Sequence, residues 1–472
     1  MSTTPAPSTE RVETSVLKRR LGPLDGAGIV VSNVIGSGIF FVPMIVATMV
    51  GSGTAMLGVW AFGGLLAFAG AMAYAELATL RPHAGGEYVY LRDAFGPGAA
   101  FLTGWTSFVA GFSGAIAATS VALAAFIGRF VPAAADQTPL LTLPLPLVPL
   151  VVTKQAIVAI FAILLLSLVH FHTSGRIVHN VLASAKVSLI LIFIAIGLGW
   201  GDGSFANVAS THNVSTSSMG WFLALVPVMF AYSGWNAAAY VAEEIRDPGR
   251  NVPFALALGT SGVVAIYLAL NVLYLYAMPV GDIAALLGGN RTLTDTVAER
   301  LFGFVAGNLL AIFTIISMAA SISAMVLAGP RVYFAMARDH VFLESAARVH
   351  PTYRTPILAI VAQAVWASFL VLCGSLSQLV SYTGFAVVLF AGIAVAALFV
   401  LRRREPGAER PYKALGYPLA PAFFVLASAG MVIAEINRVP DTAFAGLAVI
   451  AAGIPVYFLF ARKKALRGNA AP

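Results

Sequence analysis

The sequence predicts an all-α integral membrane protein with twelve transmembrane helices, of which the first and the sixth are broken near the middle. Hydrophobic residues make up 59% of the 472-residue chain and charged residues only 10%, whereas soluble domains carry about 25% charged residues. The apolar residues form runs of about 20 or more, the length that a membrane-spanning helix needs. A transmembrane β-barrel would instead show short segments of alternating polarity.

Twelve apolar runs are long enough to span a bilayer. They cover residues 24–48, 52–79, 99–130, 151–171, 176–200, 219–243, 253–278, 301–336, 356–374, 379–401, 416–436 and 443–461. The polar residues 1–20 lack the short apolar segment that precedes a signal-peptide cleavage site, so we expect the first span to be retained.

The basic residues predict the orientation of the chain. Of the 28 Lys and Arg residues, 22 lie in the two tails and the loops on their side, 5 lie in the loops on the other side, and Lys186 lies within a span. Cytoplasmic loops carry the excess of Lys and Arg, so both termini are predicted to be cytoplasmic. Because topology accounts for the basic excess, we expect no nucleic-acid partner.

Two spans contain glycine-rich interruptions. The first span carries Gly36, Ser37 and Gly38, and the sixth carries Ser233 and Gly234. Glycine is about 1 kcal/mol less favourable than alanine in a helix interior. Non-helical backbone at membrane depth survives only inside protein or beside a cavity. A pair of such interruptions in two halves of a chain indicates a transporter binding site.

Broken helices expose unpaired backbone groups. Amide N–H groups at the start of one half-helix suit a carboxylate, and carbonyl groups at the end of another suit an ammonium. An α-amino acid carries both groups at a short fixed distance. The alternative interpretation is helix packing, because small residues allow membrane helices to approach closely.

Four segments resemble the amino acid–polyamine–organocation (APC) transporters, and within them the L-type amino acid transporter family. They are VIGSGIFFVP at 34–43, PHAGGEYVYLRDAFG at 82–96, FAYSGWNAAAYVAEEIRDPGRNVPFAL at 230–256 and SISAMVLAGPRVYFAMARDH at 321–340. The segment at 230–256 is the most specific. Residues 131–154 lack the cysteine that links the animal members to an ancillary chain. In this respect the chain is similar to free-standing bacterial relatives.

The resemblance implies the LeuT fold, in which spans 1–5 and 6–10 are inverted repeats and two further helices follow. The implied segments are a cytoplasmic tail at 1–20, the first repeat at 21–200, the second repeat at 201–402, the last two helices at 403–462 and a cytoplasmic tail at 463–472.

The resemblance also implies where a substrate binds. The implied ligands are the backbone amides of Ser37, Gly38 and Ile39 for the carboxylate, and the backbone carbonyls of Ile35, Phe230, Ala231 and Ser233 for the ammonium. Gly36 and Gly234 mark the breaks. Phe230 corresponds to an aromatic residue that closes the site from outside. Ser233 stands where the animal members have glycine.

Lys186 lies near the middle of the fifth span, where a charge costs at least about 2.5 kcal/mol. In the family this position corresponds to a lysine that faces the first break, where sodium-coupled relatives hold a sodium ion. The resemblance therefore implies sodium-independent transport, and Ser321 and Ser323 are further candidates for the pocket lining. Two roles stay open for Lys186: it gains and loses a proton in a proton symporter, or it remains a fixed cation in an exchanger.

Gly111 and Gly114 in the third span either widen the pocket or pack against other helices. We expect no metal and no cofactor, because the histidine spacing is not that of a metal site and no phosphate-binding glycine loop is present. The only cysteine is Cys373, and residues 131–154 contain none. The disulfide-linked ancillary subunit of the animal members is therefore not expected here.

The leading interpretation is a secondary active transporter of L-amino acids in the plasma membrane, the inner membrane of a bacterium. Neutral substrates are favoured because no carboxylate lies in the central parts of spans 1, 3, 6 or 8. A carrier of cationic amino acids or polyamines is the alternative within transport, and a transporter-like amino acid receptor is the alternative outside it. An enzyme would need clustered ionisable groups at membrane depth.

Overall fold

The computed structural model describes residues 17–36, 38–144, 149–172, 175–212, 218–287, 293–373, 376–438 and 440–468. Ser37, a predicted carboxylate ligand, lies outside the described residues. Within them the chain is almost entirely helical. The exception is a short antiparallel sheet in which Leu141–Leu143 (β1) pairs with Leu150–Val152 (β2).

A helix lies at each segment predicted to be a span. In the first part of the chain the helices are α1 (Pro23–Val34), α2 (Gly38–Met49), α3 (Gly53–Leu80), α4 (Glu87–Phe95), α5 (Pro97–Thr106), α6 (Phe112–Ile127), α7 (Lys154–Val169) and α8 (Gly175–Trp200). In the second part they are α9 (Ser218–Tyr232), α10 (Ala237–Tyr240), α11 (Pro248–Ala277), α12 (Val280–Ala285), α13 (Leu293–Phe302), α14 (Phe304–Arg338), α15 (Ile357–Cys373), α16 (Leu376–Arg404), α17 (Leu419–Arg438) and α18 (Pro440–Gly468). Shorter turns are a π-helical turn at Ser107–Gly111 and 3-10 turns at Pro132–Ala135, Phe205–Ala209, Ala242–Glu244 and Glu344–Ala347.

The helices are long and apolar enough for a multi-pass membrane protein. Eight spans among the described residues meet the length and composition of a membrane helix, and the bent pair α1 and α2 makes a ninth. The helices α7, α9 and α15 are apolar but shorter. This coarser result confirms an all-helical membrane protein, and the count of twelve spans stays a prediction.

Local sequence explains where several helices begin. Pro23 opens α1, where a missing N–H costs nothing, and the Asp25 carboxylate accepts a bond from the Gly22 amide at 2.7 Å. Ser52 caps α3 by accepting from the Ala55 amide, and Thr153 caps α7 in the same way. Such caps satisfy amides that have no partner within the helix.

The two interrupted spans lie at the centre of the packing. The helix α1 packs against α11, α14 and α8, while α2 packs against α9. Ile39, Ala231 and Tyr267 belong to one large buried apolar cluster. The breaks are therefore enclosed by protein, the condition under which non-helical backbone is tolerated at membrane depth.

Ion pairs join the segments that follow the second interruption to their neighbours. The buried Arg331 guanidinium lies 2.7 Å from the Glu244 carboxylate, and Arg338 lies 3.1 Å from Glu243. The Glu243 carboxylate also accepts a bond from the Ala84 amide at 2.9 Å. These contacts fasten the turn at Ala242–Glu244 to the C-terminal part of α14 and to the loop between α3 and α4.

Candidate functional site

The two interruptions are here called the first break (residues 35–37) and the second break (residues 233–236). The two broken spans pack against each other at these positions. A Cβ added to Gly38 would lie 2.9 Å from the Cα of Ala231. A Cβ added to Gly234 would lie 2.9 Å from the Cβ of Asn33, and Gly234 has a φ of +100°, which side chains disfavour. Each glycine therefore permits a backbone approach to the opposite broken span.

Tyr267 of α11 bridges the ends of α1 and α9. Its hydroxyl lies 2.8 Å from the Val34 carbonyl oxygen and 3.0 Å from the Ala231 carbonyl oxygen. Both carbonyls belong to the last turn of a half-helix, where intrahelical partners are missing. One fully buried hydroxyl thus holds both broken spans at a fixed separation.

Lys186 of α8 also contacts the first break. Its ammonium nitrogen lies 2.5 Å from the Ile35 carbonyl oxygen, 3.2 Å from the Ser32 carbonyl oxygen and 2.8 Å from the Ser321 hydroxyl oxygen. The side chain is 0% exposed. An ammonium has three N–H donors and no acceptor, and these three oxygens match it.

The Ser321 hydroxyl has its own acceptors. Its oxygen lies 2.7 Å from the Ile35 carbonyl oxygen and 3.1 Å from the Ser317 carbonyl oxygen. Because the hydroxyl hydrogen is directed to a carbonyl, its oxygen is left to accept from Lys186. The three oxygens around the Lys186 nitrogen therefore match the three N–H donors of an ammonium.

A cavity of about 130 Å³ lies beside both breaks. Its walls also include the π-helical turn before α6, the middle of α16 and the start of α4. Eight predicted residues line it: Gly36, Gly38, Gly111, Phe230, Ala231, Ser233, Gly234 and Ser321. The structure thus brings residues from spans one, three, six and eight to one cavity.

Several predicted residues do not line this cavity. Gly114 is buried within α6, and the Ser323 hydroxyl oxygen lies 2.8 Å from His170 Nε2, so Ser323 is engaged outside the cavity. The side chains of Ile35 and Ile39 are fully buried behind it. The Ile35 carbonyl already accepts from Lys186 and Ser321, which use both of its lone pairs. The prediction that this carbonyl binds an ammonium of the substrate is therefore not supported by the geometry.

Two polar residues of the site were missed in the sequence. Tyr267 has no local signal, because it is one of several tyrosines in an apolar helix. Glu87 lines the cavity from the first turn of α4. Its signal is the pair Gly85 and Gly86, with φ of +112° and +51°, since two left-handed glycines before a helix mark an unusual backbone turn that carries the carboxylate inwards.

The arrangement offers backbone groups, hydroxyls and one carboxylate to a small polar molecule. The described part of the chain contains no group of three His, Cys, Asp or Glu side chains that could hold a metal ion.

Comparisons with known proteins agree over almost the whole chain. The amino acid permease family matches residues 21–460. The serine/threonine exchanger SteT of Bacillus subtilis (strain 168) is 30% identical over 465 residues, covering 96% of this chain and 99% of that protein. The human b(0,+)-type amino acid transporter 1 is 30% identical over 463 residues, covering 97% and 91%. The human large neutral amino acids transporter small subunit 2 is 28% identical over 453 residues, covering 94% and 80%.

Proposed function

This chain belongs to the amino acid permease family, and we propose that it carries L-amino acids by alternating access through the cavity at the two breaks. The observation that carries the proposal is the meeting of two broken spans around one cavity, with glycines where the two spans approach each other. Relatives along the full length of the chain are transporters or exchangers of amino acids by name. The architecture that goes with this function is the LeuT fold with twelve spans and its two repeats at 21–200 and 201–402.

The substrate's carboxylate would bind at the start of α2. The first amides of a helix have no intrahelical partner and carry a partial positive charge. Gly38 begins α2 and lines the cavity, which supports the amides of Gly38 and Ile39, together with Ser37, as the carboxylate ligands.

The substrate's ammonium would bind at the end of α9. The Phe230 carbonyl accepts one bond, from the Ser233 amide at 3.0 Å, and the Ala231 carbonyl accepts one, from Tyr267. A carbonyl oxygen has two lone pairs, so each keeps capacity for an ammonium. The Ser233 hydroxyl and the Phe230 ring, which both line the cavity, would close the site around it.

The position of Lys186 supports sodium-independent transport. A protein ammonium that already contacts the Ser32 and Ile35 carbonyls supplies the positive charge that a sodium ion would supply there. Its three matched acceptors favour a fixed cation over a group that releases a proton in each cycle. We therefore favour amino acid exchange, the activity for which SteT is named, over proton symport through Lys186.

Cationic substrates remain the second candidate, and the structure adds an observation in their favour. Neutral substrates were expected because the central parts of four spans contain no carboxylate, but Glu87 reaches the cavity from a loop helix outside those spans. A carboxylate in the pocket is what recognition of a cationic side chain needs.

The cellular setting is part of the same proposal. The chain would work in the plasma membrane, a bacterial inner membrane, with both termini cytoplasmic as the basic residues indicate. It would need no disulfide-linked subunit, because its only cysteine, Cys373 at the end of α15, lies outside residues 131–154, where such a link would form.

Uptake into proteoliposomes tests the proposal. Vesicles preloaded with unlabelled amino acids should accumulate radiolabelled L-alanine or L-serine without sodium, whereas empty vesicles should not. Accumulation that requires an inward proton gradient would favour symport, and a sodium requirement would contradict the role of Lys186. Binding without uptake, tested over all standard amino acids, would indicate a receptor.

A further inference from the structure

Glu87 is enclosed by neutral hydrogen-bond donors. Its Oε1 lies 2.5 Å from the Tyr74 hydroxyl oxygen and 2.8 Å from Asn236 Nδ2. Asn236 Nδ2 also lies 3.1 Å from the Tyr240 hydroxyl oxygen. These partners come from α3, the second break and α10, so the carboxylate links the second break to two neighbouring helices.

No cation balances this carboxylate among the described residues. None of their Lys, Arg or His side chains forms an ion pair with Glu87, although the buried Glu76 has two arginine partners, Arg402 and Arg410. Burial without a counter-charge disfavours the charged form of an acid. The helix α4 lies between the predicted second and third spans, and burial raises the pKa of the Glu87 carboxyl above its usual value, although hydrogen bonds from Tyr74, Tyr240 and Asn236 oppose the rise.

The other ionisable groups on the packed elements are engaged elsewhere or stay neutral. The nearest titratable neighbours of Glu87 are the tyrosines Tyr74, Tyr90 and Tyr240, whose hydroxyls keep their protons at neutral pH. The charged side chains on α14, on α16 and on α4 itself are Arg331 with Glu244, Arg338 with Glu243, Arg402 with Glu76, Arg404 with the Ala94 carbonyl, Arg92 with Asp339, Asp93 with Arg81, and the exposed Arg403. The helix α5 contributes no charged side chain.

Glu87 also contacts the cavity that a substrate would fill. It is partly exposed, and it lines the cavity together with Asn236, which follows Gly234 in the second break. Water in the empty cavity can solvate the carboxylate. A bound neutral amino acid is a zwitterion without net charge, so it displaces that water and leaves the negative charge of Glu87 uncompensated, which costs free energy. Occupancy of the cavity therefore favours the neutral carboxylic acid.

We propose that Glu87 is the proton-binding residue of the cavity and that substrate binds together with a proton on its carboxyl group. This inference rests on the proposed transport function and adds a site of pH control to it. By linkage, a substrate that promotes protonation is itself bound more tightly when the proton is present. Substrate affinity should therefore increase as the pH falls through the titration range of Glu87, by about tenfold for each unit by which occupancy raises its pKa.

The proposal separates two tasks that a single lysine would otherwise have to perform. Lys186 holds the first break as a fixed cation, while Glu87, beside the second break, responds to pH. A fixed charge at the first break and a pH-dependent substrate affinity at the second then coexist in one protein.

The test measures the L-alanine concentration that gives half-maximal exchange, from about pH 5 to about pH 8. For the wild-type protein we expect this concentration to rise with pH. In Glu87→Gln, whose amide imitates the protonated acid, we expect it to be independent of pH and equal to the wild-type value at low pH. Misfolding cannot produce that result. The variant Glu409→Gln, at an exposed loop residue, serves as the control and should titrate like the wild type.

Three outcomes would overturn the proposal. They are a wild-type affinity that does not change with pH, a Glu87→Gln variant that keeps the wild-type profile, and a Glu87→Gln variant that loses L-lysine exchange while its L-alanine exchange stays unchanged in affinity and pH dependence. The third would make Glu87 a ligand for a cationic side chain.

A second variant at Glu87, together with the presence or absence of wild-type exchange, decides what a negative result means. If Glu87→Gln is not produced as a folded protein, Glu87→Asp decides: a displaced titration midpoint supports the proposal, and an unchanged midpoint contradicts it. Wild-type protein that exchanges no amino acid at any pH would contradict the proposed function itself. If the wild-type protein exchanges amino acids and substitution of Glu87 leaves the pH profile unchanged, only this inference is contradicted.

Discussion

The first and second breaks perform similar structural tasks with opposite chemistry around them. Carbonyls of the first break are satisfied by a lysine ammonium and a serine hydroxyl, from Lys186 and Ser321. Beside the second break, Asn236 donates to the Glu87 carboxylate, which has no cation partner among the described residues. A break held by a matched charge is suited to stay in place, whereas a break beside an unbalanced charge can respond to what enters the cavity.

Replacement of the lysine at the first break should have the largest effect on exchange. In Lys186→Ala the Ile35 and Ser32 carbonyls lose a charged donor, and hydrogen bonds to charged groups contribute about 1.5–3 kcal/mol each. We expect exchange to fall about 100-fold, the equivalent of about 3 kcal/mol. Lys154→Ala is the control, because Lys154 is half exposed and pairs with Asp136 on the surface. A Lys186→Ala protein with near-normal exchange would refute the fixed-cation role.

Contact between the breaks can be tested at their glycines. In Gly38→Ala the new methyl group would meet the Ala231 backbone, which cannot move aside as a side chain can. Overpacking of this kind costs about 1–3 kcal/mol, so we expect exchange to fall about thirtyfold. Gly262→Ala in α11 is the matched control, since nothing lies within 4 Å of its added Cβ. Equal activity of the two variants would show that the breaks need not touch.

The bridge between the breaks depends on one hydroxyl. Tyr267→Phe removes the donor shared by the Val34 and Ala231 carbonyls but keeps the ring. A buried acceptor left without a partner costs about 1–3 kcal/mol, and we expect about tenfold slower exchange. Tyr276→Phe in the same helix removes a bond to the Gly201 carbonyl away from the cavity. Exchange rates of the two variants should therefore differ, and equal rates would exclude the bridging role.

The smallest expected effect concerns two neighbouring serines. Ser321→Ala removes an acceptor of Lys186 and a donor to Ile35. Because Lys186 keeps the Ile35 and Ser32 carbonyls as acceptors, we expect a net loss of only about 1 kcal/mol and exchange about fivefold slower. Ser323→Ala affects only the bond with His170 and should leave the apparent substrate affinity unchanged. A larger loss of affinity in Ser323→Ala than in Ser321→Ala would reverse the assignment of the two residues.

Hydrophobicity and glycine placement determined the main outline of this protein from the sequence alone. The apolar runs located the helices, because a helix that faces lipid must be apolar over a length set by the bilayer. Gly36, Gly38 and Gly234 located the breaks, because glycine weakens a helix wherever it stands. These are local properties, and they can be read without knowing which segments become neighbours.

Only the tertiary structure decided which side chains meet at the breaks. Tyr267 and Glu87 join the site from α11 and α4, while Ser323 and Gly114 lie outside the cavity despite their positions in spans that line it. Small differences in helix rotation and loop path decide such contacts, since neighbouring residues on a helix face different directions. The sequence therefore predicted where the cavity lies, and packing determined that Lys186 contacts the Ile35 carbonyl at the first break and that Glu87 accepts from Asn236 at the second.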